Sequence, residues 1–234
     1  WINIGTVLLG GSVGLLLGSR LSDRLRESVM QGIGVVTLII GMQMALSTEN
    51  VLIVLGSILL GGVLGTAWRL DDWLNRFGHW VEQTITARGR GDDEKPATGR
   101  FAQGFITTSL LFCIGPMTFL GAIQDGLFGD YQLLAVKSVL DGFSAIAFAA
   151  SLGPGVLMSA VTVFVIQGSL TLLSGVLEPF MTDPLVAELT AVGGAMVLMI
   201  GLNLLQLMRI RVADFLPALL IAPFLLKFFE MLSL

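Results

Sequence analysis

The stretch FAQGFITTSLLFCIGPMTFLGAIQDGLFGDYQLLAVKSVLDGFSAIAFAASLGPG, residues 101–155, decides how the rest of the chain is read. It holds two long apolar segments. The first is interrupted at Ile114-Gly115-Pro116; the second carries Lys137 and Asp141 and ends at Gly153-Pro154-Gly155. A carboxylate inside a segment that otherwise suits lipid costs about 2.5–3.5 kcal/mol on insertion scales, so Asp141 is read first as functional. Pro116 lacks the amide hydrogen a helix needs, and Gly115 lets the backbone leave helical geometry, which predicts two half-helices. The start of the second half would offer unpaired N–H groups to an anion or a carbonyl oxygen at mid-membrane. The plainer alternative is a proline kink whose freed carbonyl is satisfied by a neighbouring helix or by a nearby hydroxyl such as Thr118.

Composition gives the stretch its setting. The 234-residue chain is 54% hydrophobic and 13% charged, with a mean hydropathy of +0.86. Soluble domains carry about 25% charged residues, so the implied solvent is a bilayer and the implied fold an all-α polytopic membrane protein. At about 20 apolar residues per crossing, eight transmembrane helices are predicted: Ile2 to Gly18, Val29 to Leu46, Val51 to Trp68, Phe105 to Ile123, Leu133 to Leu152, Val156 to Leu177, Leu185 to Leu207 and Val212 to Phe228. The first and last are short or polar-flanked, and discounting one leaves seven. With the N-terminus outside, eleven of the thirteen Lys and Arg residues fall on the cytoplasmic side, as the positive-inside rule requires. Leu70, Trp73, Leu74, Phe77, Trp80 and Val81 recur at helical spacing in the one long hydrophilic stretch, which predicts an amphipathic helix at the inner surface. The following Arg88 to Pro96 reads as a cytoplasmic linker, and His79 as an interfacial side chain.

Two internal similarities set the expected architecture. Gly11–Gly18 matches Gly168–Gly175 at five of eight positions, and Gly34–Gln43 matches Gly194–Asn203 with both glycines retained. Two extra helices intervene, so the two units would run in opposite directions, the inverted-repeat plan of many secondary transporters. The expected organisation is a three-helix repeat at 1–68, an amphipathic helix and linker at 69–100, a central broken-helix pair at 101–155, and a second three-helix repeat at 156–234. Gly10, Gly14 and Gly18, like Ser57, Gly61 and Gly65, form faces where backbones can approach closely, either within the chain or in a homo-oligomer.

The candidate substrate- or ion-binding residues follow from this plan. Gly115, Pro116 and Thr118 lie at the break. Lys137, Asp141 and Ser144 share one face of the fifth span, where Lys137 and Asp141, four apart, can pair. A structural ion pair is the competing role. Gln167, Gln43 and Asn203 are uncharged partners that could line the same cavity, or serve as hydrogen-bond glue between helices. No motif of a metalloprotease, hydrolase elbow, phosphate loop or Cys/His cluster occurs, so neither an enzyme nor a cofactor is expected.

Gly5-Thr6 with Gly10-Gly11, the run Gly18 to Leu21, Cys113-Ile-Gly-Pro-Met-Thr118, Gln124-Asp-Gly126, Lys137-Ser138, Leu140-Asp-Gly142 and Gln167-Gly168 together resemble the YqgA/YdfK-like bacterial family, a domain of unknown function. The resemblance covers nearly the whole chain. It implies a multi-span protein of the bacterial cytoplasmic membrane and carries no substrate or catalytic assignment. The expected partners are the lipid bilayer and a small solute or ion, not nucleic acid. The expected function is a secondary transporter of a small polar or anionic solute with proton or cation coupling. A channel-like pore and a non-transporting assembly subunit are the alternatives.

Overall fold

A computed structural model describes residues 1–18, 22–86 and 100–232. The linker expected at 88–96 and the side chain of His79 lie outside the described part. Helices α1 (Ile2–Gly18), α2 (Asp23–Ala45) and α3 (Val51–Trp68) come first. They are followed by α4 (Leu70–Thr86), α5 (Arg100–Cys113), α6 (Pro116–Phe128) and α7 (Gln132–Leu152). The chain ends with α8 (Gly155–Leu172), the single turn α9 (Ser174–Leu177), α10 (Asp183–Leu204) and α11 (Pro217–Met231). Among the described residues six helical segments are long and apolar enough to cross a membrane, or seven if the bent pair α5 and α6 is one span, against the eight expected; Ile2–Gly18 is the shorter apolar helix. Helix α1, apolar over 17 residues, lies along α7.

Local chemistry sets the helix ends. The side chains of Ser22, Asn50 and Thr182 accept the amides of Leu25, Leu52 and Leu185, capping α2, α3 and α10. The seventh span ends at Leu204 rather than Leu207, because Gln206 turns left-handed at φ +58° and Asn203 ties down the following loop. The sixth expected span stops at Leu172, and the single turn α9 follows it. The amphipathic segment forms a 17-residue helix, α4, entered through Arg69 at φ +56°. Phe77 from this helix lies 6.3 Å from Phe105, which seats α4 on α5.

The glycine seams show how the helices run. Methyl groups placed on Gly10, Gly14 and Gly18 would overlap the carbonyls of Gly142, Ile146 and Ala150. The residue numbers rise together, so α1 and α7 are parallel. Gly104 against Val156 and Ser109 bonded to Thr162 make α5 and α8 parallel too. Between α2 and α10 the order reverses: Gly34 meets Leu205, Leu38 meets Gly201, Gly41 meets Leu198 and Ala45 meets Gly194. Between α3 and α11, Gly56 meets Leu225, Gly61 meets Ala218 and Gly65 meets Asp214, again antiparallel.

These contacts sort the helices into two bundles. One contains α1, α5, α6, α7 and α8; the other contains α2, α3, α10 and α11. Both glycine faces singled out in the sequence are therefore consumed inside the chain and are not free for an oligomer. The similarity of Gly168 and Gly175 to Gly11 and Gly18 does not extend to packing, because a methyl group added at either would meet no neighbouring helix within 4 Å. By contrast, the Gly34–Gln43 and Gly194–Asn203 segments pack on each other.

A side chain at Gly194 would meet the Ala45 amide nitrogen and lie 2.6 Å from Met44 Cβ, whereas Gly32 has open space around it. Gly194→Ala should lower stability by about 1–3 kcal/mol through overpacking, while Gly32→Ala should not. Thermal unfolding of the two variants in detergent checks the contrast.

Candidate functional site

The interruption at residues 114–115 bends α5 against α6 by 59°. Gly115 sits at φ +149°, a conformation that L side chains rarely adopt. Pro116 opens α6, and the carbonyl its missing N–H would have engaged four residues back is that of Phe112. That carbonyl is satisfied from elsewhere: the Lys137 ammonium donates to it at 2.6 Å, and the Thr118 hydroxyl approaches at 3.4 Å. The amides of Thr118 and Phe119 donate back to the Gly115 carbonyl at 3.0 and 3.4 Å. The expected seat for an anion at the start of α6 is thus largely occupied. What the break presents instead is an oxygen that attracts a cation.

Lys137 also pairs with Asp141 one turn along α7, and the same carboxylate oxygen accepts Asn3 Nδ2 of α1 at 2.9 Å. All three side chains are buried. Burying an isolated charge costs several kcal/mol, so the cluster holds only because each member supplies the next with its partner. Asn3 Oδ1 is left buried without a partner, as is Gln167 Nε2 on α8. Ser144 shares the α7 face with Lys137 and Asp141 and is half-buried. Gln43 is not brought in. It is exposed on α2, because the inward face of that helix is given to Gly34, Leu38 and Gly41. Asn203 is also elsewhere, bonded to both the amide and the carbonyl of Ile210 at 2.8 and 2.7 Å.

Two cavities lie between the bundles. One, of about 1120 Å³, opens where α2 and α5 begin and α7 and α10 end. Its wall mixes Gln31, Gln103 and Asn203 with Arg209, Arg211, Glu27 and Asp71. The other, of about 560 Å³, is an apolar groove between α5, α8, α10 and α11. Among the described residues no group of three His, Cys, Asp or Glu side chains could hold a metal ion.

Two buried carboxylates were not singled out in the sequence. Glu188, only 1% exposed, accepts the Thr48 hydroxyl at 2.8 Å and the amides of Glu49 and Asn50 at 3.0 and 3.1 Å, fastening the corner between α2 and α3. The rule that flagged Asp141 applies equally to this acid in an apolar segment. Asp214 accepts the Asp71 amide at 2.9 Å and holds the start of α4. Burial, then the neighbouring Asp214 carboxylate, pushes Asp71 above the usual carboxylate range, against the pull of Arg211 and the Ala213 amide.

Among the described residues, a helical bundle with six apolar helices long enough to cross a membrane, or seven with the bent pair, and a buried charged cluster defines a polytopic membrane protein. The chain belongs to the family described as "Protein of unknown function (DUF554)", whose model matches residues 1–227. It is similar to uncharacterized protein YqgA of Escherichia coli K12, at 33% identity over 95% of this chain and 93% of the relative. It is also similar to uncharacterized membrane protein YdfK of Bacillus subtilis 168, at 29% identity over 94% and 92%. No solved structure matches.

Lys137→Met strands the Asp141 carboxylate and the Phe112 carbonyl, and should cost about 3–5 kcal/mol. Lys137→Met with Asp141→Asn should recover much of that loss, and thermal unfolding of both singles and the double measures the coupling. Asp71 supplies a second check. Its folded form holds a proton more tightly than the unfolded chain, so stability falls as pH rises from the ordinary carboxylate value through the raised one. Asp71→Asn should therefore be more stable than the parent at neutral pH, with the gain vanishing below the ordinary carboxylate pKa.

Proposed function

We propose that the chain is a secondary transporter of a small polar or anionic solute, coupled to a proton or cation, in the bacterial cytoplasmic membrane. The observation that carries this reading is the vestibule of about 1120 Å³ on the seam between two helix bundles, each assembled from both halves of the chain. The inverted repeat supports it. Contacts between α2 and α10 are preserved when Gly34–Gln43 and Gly194–Asn203 exchange roles: Gly34 with Leu205 becomes Gly194 with Ala45, and Gly41 with Leu198 becomes Gly201 with Leu38. Helices α1, α2 and α3 each oppose α8, α10 and α11 in direction, as expected of units related by an axis in the membrane plane.

Arg69, Arg76, Arg209 and Arg211 belong to segments at the vestibule end, so the positive-inside rule assigns that opening to the cytoplasm and the N-terminus to the outside. In this reading Lys137 occupies a cation seat formed by the Phe112 carbonyl and Asp141, and a coupling proton or cation competes with it for the carboxylate. The burial of Lys137, Asp141 and Phe112 favours a carrier over a channel-like pore, because a pore would hold its charged groups open to water. Transport, with no chemical step, is the whole of the proposed activity.

Proteoliposomes adsorbed on a solid-supported membrane and challenged with small carboxylates, amino acids and phosphate should give a saturable transient current with at least one of them. Asp141→Asn, if it keeps the parent's thermal unfolding, should abolish that current. An unchanged current would remove Asp141 from the mechanism, and a non-saturating one would point to a pore.

A further inference from the structure

The vestibule and the apolar groove adjoin. Ile106 lines both, and the helices around it divide by face. On α4, Asp71 and Asn75 line the vestibule while Leu74 lines the groove. On α5, Gln103 and Thr107 line the vestibule while Phe105 and Ser109 line the groove. From Leu74 at the vestibule end the groove runs past the break at Cys113 and Ile114 to Met181, just before α10 begins. It therefore extends along much of the bundle, between α8 on one side and Leu189 and Leu219 on the other.

An apolar groove open between membrane-spanning helices offers water almost no hydrogen-bond partners and suits hydrocarbon instead. The adjoining vestibule has the opposite character and carries both signs of charge. Arg209 and Arg211, both exposed and the second 3.9 Å from Asp72, are guanidiniums suited to a phosphate, and the exposed Glu27 and half-buried Asp71 are carboxylates suited to an ammonium. A purely anionic headgroup would meet those two acids unfavourably, whereas a zwitterion uses all four groups.

We infer that the two cavities together hold one zwitterionic membrane phospholipid, its acyl chain in the groove past Ile106 and its phosphate and ammonium in the vestibule. The inference goes beyond the carrier reading: the lipid sits in the vestibule and the adjoining groove, whose walls include neither Lys137 nor Asp141, and its binding does not depend on solute transport.

The test uses the full chain in phosphatidylglycerol vesicles with a trace of phosphatidylethanolamine bearing a diazirine near the end of one acyl chain. After illumination, label should concentrate on peptides spanning residues 105–119 and 216–223, above the lipid-facing surface of α3. The matching phosphatidylglycerol probe should label them less. Replacing Arg209 and Arg211 by Gln should reduce labelling about tenfold, the worth of one lost charge-assisted hydrogen bond. Leu219→Trp should reduce it by filling the groove. If that variant does not fold, Leu74→Trp at the groove's end replaces it. Label spread evenly over α2, α3 and the two target peptides, or equal labelling by the two headgroups, overturns the assignment. Concentrated label with no saturable current from any water-soluble solute supports the site and counts against the carrier reading. A saturable current with a water-soluble solute and no concentrated label overturns the site and leaves the carrier reading in place.

Discussion

The structure turns on one carbonyl oxygen. Proline at 116 removes the donor that the Phe112 carbonyl would have had in a continuous helix, and water is not at hand inside a membrane bundle to replace it. Lys137 fills the gap from α7. Its charge then requires Asp141, whose remaining demand is met by Asn3 near the chain's start. Each link exists because the previous one would otherwise leave a polar group dry. The sequence of obligations ties α1, α5 and α7 into one body. The pair that sequence patterning suggested as an ion pair is therefore also the cap of a severed helix.

Elsewhere cohesion comes from close approach. Lipid tails compete with side chains for apolar contact, so helices in a bilayer gain little from burial and associate through fit. Here fit is supplied by glycines set against carbonyls or small side chains, as at Gly14 on Ile146 and Gly61 on Ala218. Three polar fastenings outside the central cluster sit at corners: Glu188 on the α2–α3 turn, Asn203 on the loop before α11, and Asp214 at the entry to α4. Seams hold the helices side by side, and the fastenings fix where each one begins.

Much of this was legible in the sequence. Length and apolarity gave the crossings, the Gly-Pro step gave the break, and helical spacing gave α4. The rule against buried charge picked out Asp141, and spacing gave its partner. What was not legible depended on direction. A segment apolar on every side has no face to read, so nothing on α2 told that Gln43 would point outward while Gly41 pointed in. The partners of Lys137 and Glu188 lie 25 and about 140 residues away, and no local pattern encodes such a distance. The occupied amides at the start of α6 reflect the conformation at Gly115, which the residue type permits without dictating.

The partition into two bundles has a mechanical corollary. The chain passes from one body to the other only three times: between α1 and α2, through α4 and the stretch leading to α5, and between α8 and α10. Because α2 is clamped to α10 and α3 to α11, no single hairpin can swing by itself. A large displacement would then move one four- or five-helix block on the other as a unit. Both hollows lie along the contact between the blocks, so such a displacement would reshape them together.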